Sequence, residues 1–313
     1  MMGTHQFAVT AEHMQIKSVI QILLLSAVWG VSFLMIRIAG HTFPPLWVAL
    51  LRCALGASFL WIFMRIGGNK LPPRRLLPWL LLVALLNNAI PFTFFAWGER
   101  TVPSNIAAVL NATAPIWTLL LSMAVYRTRA TLFTIAGVLL SFAGVLVVIT
   151  HVGGSAADDT SGNIFAGATI IALASVAYAV AAVVAKIKLR GLDPMGLATA
   201  QLSLATLMLL PFALAGERPS SLRIAPIAAV AVLGIAGSGI AYLLYYRLLE
   251  HVTATQLAAV TYLLPIWGLF WGLFAHEAIG VFVYLGVAIT IVGLVLLNMR
   301  TKPVPELGRS APA

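Results

Sequence analysis

The amino-acid sequence repeats itself once, weakly, across blocks too apolar for water. At a shift of 149 positions Ser26 meets Ser175, Trp29 meets Tyr178, Arg37 meets Lys186 and Pro45 meets Pro194. At a shift of 150 Asn88 meets Ser238, Phe92 meets Tyr242 and Phe95 meets Tyr245; further on Val102, Ala108, Pro115, Ile116, Trp117 and Leu119 meet Val252, Ala258, Pro265, Ile266, Trp267 and Leu269. The shift returns to 149 for Gly137 on Gly286 and Gly144 on Gly293. One match between apolar helices means little, but a near-constant shift over four blocks points to a duplicated unit. Five spans per unit is an odd number, so the second copy enters the bilayer upside down, an arrangement that recurs in alternating-access transporters.

Composition fixes the solvent. Of 313 residues 61% are hydrophobic and 9% charged, where a soluble domain carries about 25% charged residues. A hydrocarbon core of about 30 Å takes about 20 apolar residues per helix. The apolar blocks predict helices over 19–39, 44–64, 77–97, 102–124, 130–150, 164–186, 195–215, 224–247, 253–275 and 279–299. A β-barrel needs short alternating segments, and the runs Ile135 to Ile149 and Val281 to Leu297 do not alternate. The expected fold is all-α integral membrane, ten transmembrane helices in two inverted five-helix repeats. Residues 1–150 form the first repeat, 151–163 a linker on the outer side, 164–300 the second repeat and 301–313 a tail. The linker holds no Lys or Arg and is rich in Gly, Ser and Asp, the composition of a flexible connection.

The net charge of +10 does not imply nucleic acid, because of where it falls. Lys17, Arg65, Lys70, Arg74, Arg75, Arg127, Arg129, Lys186, Lys188, Arg190, Arg247, Arg300, Lys302 and Arg309 share one side, whereas Arg37, Arg100, Arg218 and Arg223 take the other. The positive-inside rule then puts both termini in the cytoplasm, as an even number of spans requires. The single cysteine, Cys53, excludes an intramolecular disulfide. Met1 to Ser18 lacks the charged start and cleavage site of a signal peptide, so the first block reads as a retained span.

Three residue groups could carry transport. Pro115, Pro265 and Pro91 lie inside apolar blocks, and each releases the carbonyl four residues back, on Asn111, Thr261 and Asn87. Freed carbonyls in lipid must be satisfied or face a wet cavity. Pro115 and Pro265 are repeat partners and candidate hinges, with Asn111 and Thr261 exposed towards a central site; a packing kink is the plainer alternative. Asn88 with Phe92 and Phe95, and Ser238 with Tyr242 and Tyr245, share helix faces at i, i+4, i+7. Ser26 with Trp29 and Ser175 with Tyr178 offer a second pair. These residues suit a cavity for an organic solute with an apolar or aromatic part, although aromatics also populate lipid interfaces. The third group is Arg52, the one charge within a span; it could pair with a solute carboxylate or brace neighbouring helices. All nine carboxylates fall in loops or at helix ends, so no mid-depth proton relay is expected. Gly137, Ser141 and Gly144, and Gly286, Thr290 and Gly293, form small-residue faces for helix packing.

Trp29-Gly30-Val31-Ser32-Phe33, Arg37, Pro44-Pro45 and Arg52, then Tyr242 to Arg247, Val252, Pro265, Glu277, Gly286 and Gly293, resemble an EamA-type member of the drug/metabolite transporter superfamily. The first repeat departs from the family pattern at Tyr126-Arg127, where a Gly-Glu pair usually stands. The resemblance implies a multi-pass transporter of a bacterial inner membrane. It implies export of small organic metabolites such as amino acids or related amphipathic compounds, by a monomer or homodimer. No catalytic residue, cofactor or metal site is expected: His276-Glu277 lacks a second histidine at the required spacing, and Gly234 to Gly239 is no phosphate loop. A membrane enzyme acting on lipid would need a midplane cluster of acids or histidines; a sensor or assembly protein would have a dry interior.

Overall fold

The computed structural model describes residues 16–152, 161–220, 223–251, 254–277 and 279–298. Among them it is helical apart from the short connections between helices, with no strand. Span 1 is Ile16–Gly40, span 2 Pro45–Gly67, span 3 Arg74–Gly98, span 4 Ser104–Tyr126 and span 5 Leu132–His151. Span 6 is Ile164–Lys188, span 7 Pro194–Ala215 and span 8 Ile224–Tyr245; the shorter apolar helices Ala259–Phe274 and Val281–Leu297 are spans 9 and 10. The 301–313 tail and residues 153–160 of the linker lie outside the described residues.

Local chemistry sets the span ends. Span 2 opens with proline in its first turn and closes on Gly68 in the left-handed region (φ 67°), which glycine enters without penalty. Span 7 opens at Pro194 behind Asp193, whose carboxylate accepts the Gly196 N–H (2.9 Å), the Asn69 side-chain N–H (2.8 Å) and the Lys70 N–H (3.4 Å). Partial burial pushes the Asp193 carboxyl up, but these donors outweigh it and hold it below the usual aspartate range.

The helices pack mainly across the repeats. Span 5 lies against span 10, span 2 against span 7, span 1 against span 9, and span 6 against spans 3 and 4. The small-residue faces expected from sequence meet each other. A Cβ on Gly286 would come 2.6 Å from the Gly144 carbonyl, and one on Gly137 2.7 Å from that of Gly293. The Ser141 hydroxyl reaches the Thr290 carbonyl (3.4 Å).

Spans 3 and 8 are not simple α-helices. Each widens into a π-helical stretch, at Leu85–Ala89 and Val232–Ile240, and a shift of 150 carries the first into the second. Below Pro91 the Ile90 N–H bonds the Leu85 carbonyl, five residues back. In span 8 the Gly-rich run through Gly239 takes the same form, with the Ala241 N–H on the Ala236 carbonyl. Asn88 and Ser238 sit in these stretches.

Two outcomes are expected. Gly144→Val forces backbone apart at the span 5–span 10 contact and lowers stability by about 1–3 kcal/mol, read as a lower melting temperature in detergent. Asp193→Ala removes a helix cap worth about 1 kcal/mol. Because the carboxyl is held low in the folded state, the wild-type advantage is full above the ordinary aspartate range and is lost as pH falls through the lowered value. Melting curves of both proteins against pH check this.

Candidate solute site

Arg52 is buried within the bundle, 8% exposed. Its Nε donates to the Ser238 hydroxyl (3.1 Å), and its guanidinium carbon sits 3.9 Å from the centre of the Phe92 ring. Tyr178, Tyr242 and Glu99 lie within its electrostatic reach. The Asn88 side-chain N–H points at the Tyr242 hydroxyl (3.5 Å). Gln201, which matches Arg52 in the second repeat, accepts from Asn87 (3.1 Å). Each π-helical stretch, or the residue beside it, thus meets span 2 or span 7 of the opposite repeat.

The geometry gathers Arg52, Asn88, Phe92, Tyr178, Ser238 and Tyr242 into one cluster. Asn88 and Ser238 are fully buried, while Tyr178 and Tyr242 are half-buried. Phe95 stacks on Tyr178 (6.2 Å between centres) and meets Phe33 edge-on (5.6 Å). Trp29 and Tyr245 pair at 5.8 Å, in an apolar cluster of spans 1, 8 and 9 that also holds Leu25 and Val260. Ser26 accepts the Trp267 indole N–H (2.9 Å). Asn111 and Thr261 are half-buried on spans 4 and 9. Among the described residues neither shares a hydrogen bond with the Arg52 cluster, and the Asn111 side-chain oxygen is buried without a partner.

The two hinge prolines differ. Span 4 is broken: an α-helix ends at Asn111 and a new one starts at Ala114, with Pro115 in its first turn. The Leu110 carbonyl at the break receives the Thr113 N–H, the Thr113 hydroxyl and, from span 6, the Ser175 hydroxyl. Pro265 instead lies within the continuous helix Ala254–Phe274. Of the two prolines only Pro115 stands at a helix break.

One connection was invisible in sequence. Glu277, after span 9, accepts the Ser104 N–H (2.9 Å), the Ser104 hydroxyl (2.9 Å) and the Asn105 N–H (3.1 Å), and pairs with Arg37 (3.2 Å). It caps span 4 from the other repeat, where a carboxylate also faces the positive helix end. Arg127 and His276 share left-handed backbone (φ 52° and 54°), so the residue matching Glu277 is Thr128 rather than Arg127. Thr128 N–H bonds Met123 and Glu277 N–H bonds Gly272, the same turn twice. The first repeat therefore has no carboxylate for this role.

Among the described residues no three His, Cys, Asp or Glu side chains converge as metal ligands, and the ion pairs are Arg37–Glu277 and Arg100–Glu217. Arg52 takes part in neither.

The chain matches the EamA-like transporter family over residues 16–150 and again over 165–299. It belongs to that family. It is 28% identical over 244 residues to the uncharacterized inner membrane transporter YedA of Escherichia coli K12, covering 77% of each chain. It is 28% identical over 299 residues to an uncharacterized transporter of Archaeoglobus fulgidus, covering 92% of this chain and 99% of the other. Protein PagO of Salmonella typhimurium is 27% identical over 262 residues, with 78% and 80% covered. A crystal structure superposes with a TM-score of 0.62 at 19% identity over 90% of this chain and 96% of its own, which establishes a shared fold. The protein is thus a multi-pass membrane transporter.

Glu277→Ala leaves the Ser104 and Asn105 N–H groups without their acceptor. A buried unsatisfied donor costs roughly 1–3 kcal/mol, so the variant is expected to melt lower, whereas Glu217→Ala, at the exposed pair, melts as wild type.

Proposed function

We propose that this EamA-family protein moves small amphipathic organic metabolites, amino acids or related aromatic compounds, by alternating access around the Arg52 cluster. The observation that carries the reading is that guanidinium: buried in a bilayer-spanning bundle, hydrogen-bonded to Ser238 and resting on Phe92, with no carboxylate in salt-bridge range among the described residues. A buried charge without a counter-charge is expensive in lipid and marks a solute path. A solute carboxylate at Arg52, with its apolar part against Phe92, Tyr178 and Tyr242, supplies both missing terms.

Asymmetry between the repeats supports alternating access. Trp267 bonds Ser26 between spans 9 and 1. The matched Trp117 and Ser175, on spans 4 and 6, do not pair: among the described residues the Trp117 indole N–H is buried without a partner, and Ser175 turns to Leu110. A groove of about 220 Å³ lined by Trp117, Phe142 and Phe165 runs beside that side. Inverted repeats that exchange such conformations expose a central site to one face and then the other. Pro115, at the break in span 4, is the hinge of this motion, and Pro265 its counterpart. The charge pattern favours both termini in the cytoplasm, and the family favours export.

Counterflow in proteoliposomes with a panel of amino acids, their decarboxylated amines and other metabolites tests this. Wild type exchanges carboxylate-bearing members. Arg52→Gln loses them by roughly tenfold or more, the scale of about 1.4 kcal/mol. Tyr242→Ala and Asn111→Ala shift preference within the panel. Unchanged exchange by all three variants would refute the site.

A further inference from the structure

Glu99 ends span 3, and its side chain turns inward rather than towards water. It is 5% exposed, and among the described residues neither carboxyl oxygen has a hydrogen-bond partner. Its backbone is held by the Glu99 N–H bond to the Phe95 carbonyl (2.9 Å). The residue borders a cavity of about 210 Å³ shared with Arg37, His41 and Arg100.

The surrounding charges are committed elsewhere. Arg37, from span 1, pairs with Glu277, and Glu277 caps span 4. Arg100 pairs with Glu217. Arg52 reaches Glu99 electrostatically from span 2 but hydrogen-bonds Ser238. His41 lines the cavity from the turn after span 1. Span 6 presents Gly167 and Ile171 to Gly98 and holds no titratable residue from 164 to 175. Burial first, then the neighbouring Glu277 carboxylate, push the Glu99 carboxyl well above the usual range against the pull of Arg37 and Arg52. Its oxygens are sealed from the cavity, so a dissolved cation cannot neutralise it there; a proton can.

We propose that Glu99 is a proton-binding site of the transporter, loaded while this end of the bundle is closed and emptied when it opens. The proposal rests on the alternating-access reading above. Opening between spans 1 and 3 joins Glu99 to the cavity. Its O–H bond breaks, the proton passes to water, and the carboxylate left behind is hydrated beside Arg37 and Arg100. Closing requires the proton back, because the sealed site has no donor to spare for an anion. The carboxyl thus ties movement of this end to the pH on its own side.

Infrared spectroscopy on the purified full-length protein reads the proton directly. At neutral pH wild type is expected to show a protonated-carboxyl C=O band that Glu99→Gln abolishes and Glu217→Gln keeps. Gln mimics the neutral acid, so Glu99→Gln folds; as pH rises from the ordinary carboxylate range, wild type loses thermal stability relative to it. A wild-type protein without the band at neutral pH, or a folded Glu99→Gln that retains it, overturns the proposal. Counterflow of whichever panel solute exchanges then reads the coupling. Wild-type exchange changes several-fold with pH on the Glu99 side, and Glu99→Gln is flat; equal pH dependence in both overturns the link. If no panel solute exchanges, the transport reading fails, while the infrared result still decides whether Glu99 holds the proton.

Discussion

Lipid offers no hydrogen-bond partner, so each polar group within the bundle must find one inside the protein. Here the partner repeatedly comes from the other repeat. Arg52 reaches Ser238, Asn87 reaches Gln201, Trp267 reaches Ser26, Ser141 reaches the Thr290 carbonyl, and Glu277 caps Ser104 and Asn105 while holding Arg37. Glycine contacts at spans 5 and 10 bring the backbones close enough for this stitching. Neither repeat is self-sufficient: without its copy each would leave charged and amide groups facing hydrocarbon.

That mutual dependence locates the candidate site. The polar groups of the Arg52 cluster come from both copies. The π-helical stretches of spans 3 and 8 lie there as a matched pair, and such widened turns are frequent at functional sites. They carry Asn87 and Ser238 to the spans of the opposite repeat that hold Gln201 and Arg52. The pairs are alike in placement and unlike in charge, so the cluster is asymmetric within a repeated frame.

Much of this was legible in the sequence. Apolar run lengths gave the spans, and the shift of 149 or 150 the duplication. The Gly137 and Gly286 faces read correctly because close packing needs small residues wherever it occurs. What stayed hidden depends on tertiary register. Pro91 signalled a disturbed helix, but a π-helical turn differs from a kink only in which carbonyl each N–H selects. Pro115 and Pro265 both open a Pro-Ile-Trp run, yet one sits at a break, where span 6 supplies Ser175 to the Leu110 carbonyl, and the other within a continuous helix. Glu99 is at a helix end, as its position implied; its burial follows from neighbouring spans closing over it.

Transport by the mechanism proposed above requires that the two repeats hold opposite conformations and exchange them. Spin-label distances in lipid test it most directly, in a cysteine-free background made by replacing Cys53. One label pair flanks Ser26 and Trp267, and the other flanks Trp117 and Ser175. The account predicts two populations that trade places with pH or an exchanging solute: one with the first pair close and the second apart, the other reversed. A single unchanging distance for both pairs under every condition would contradict it.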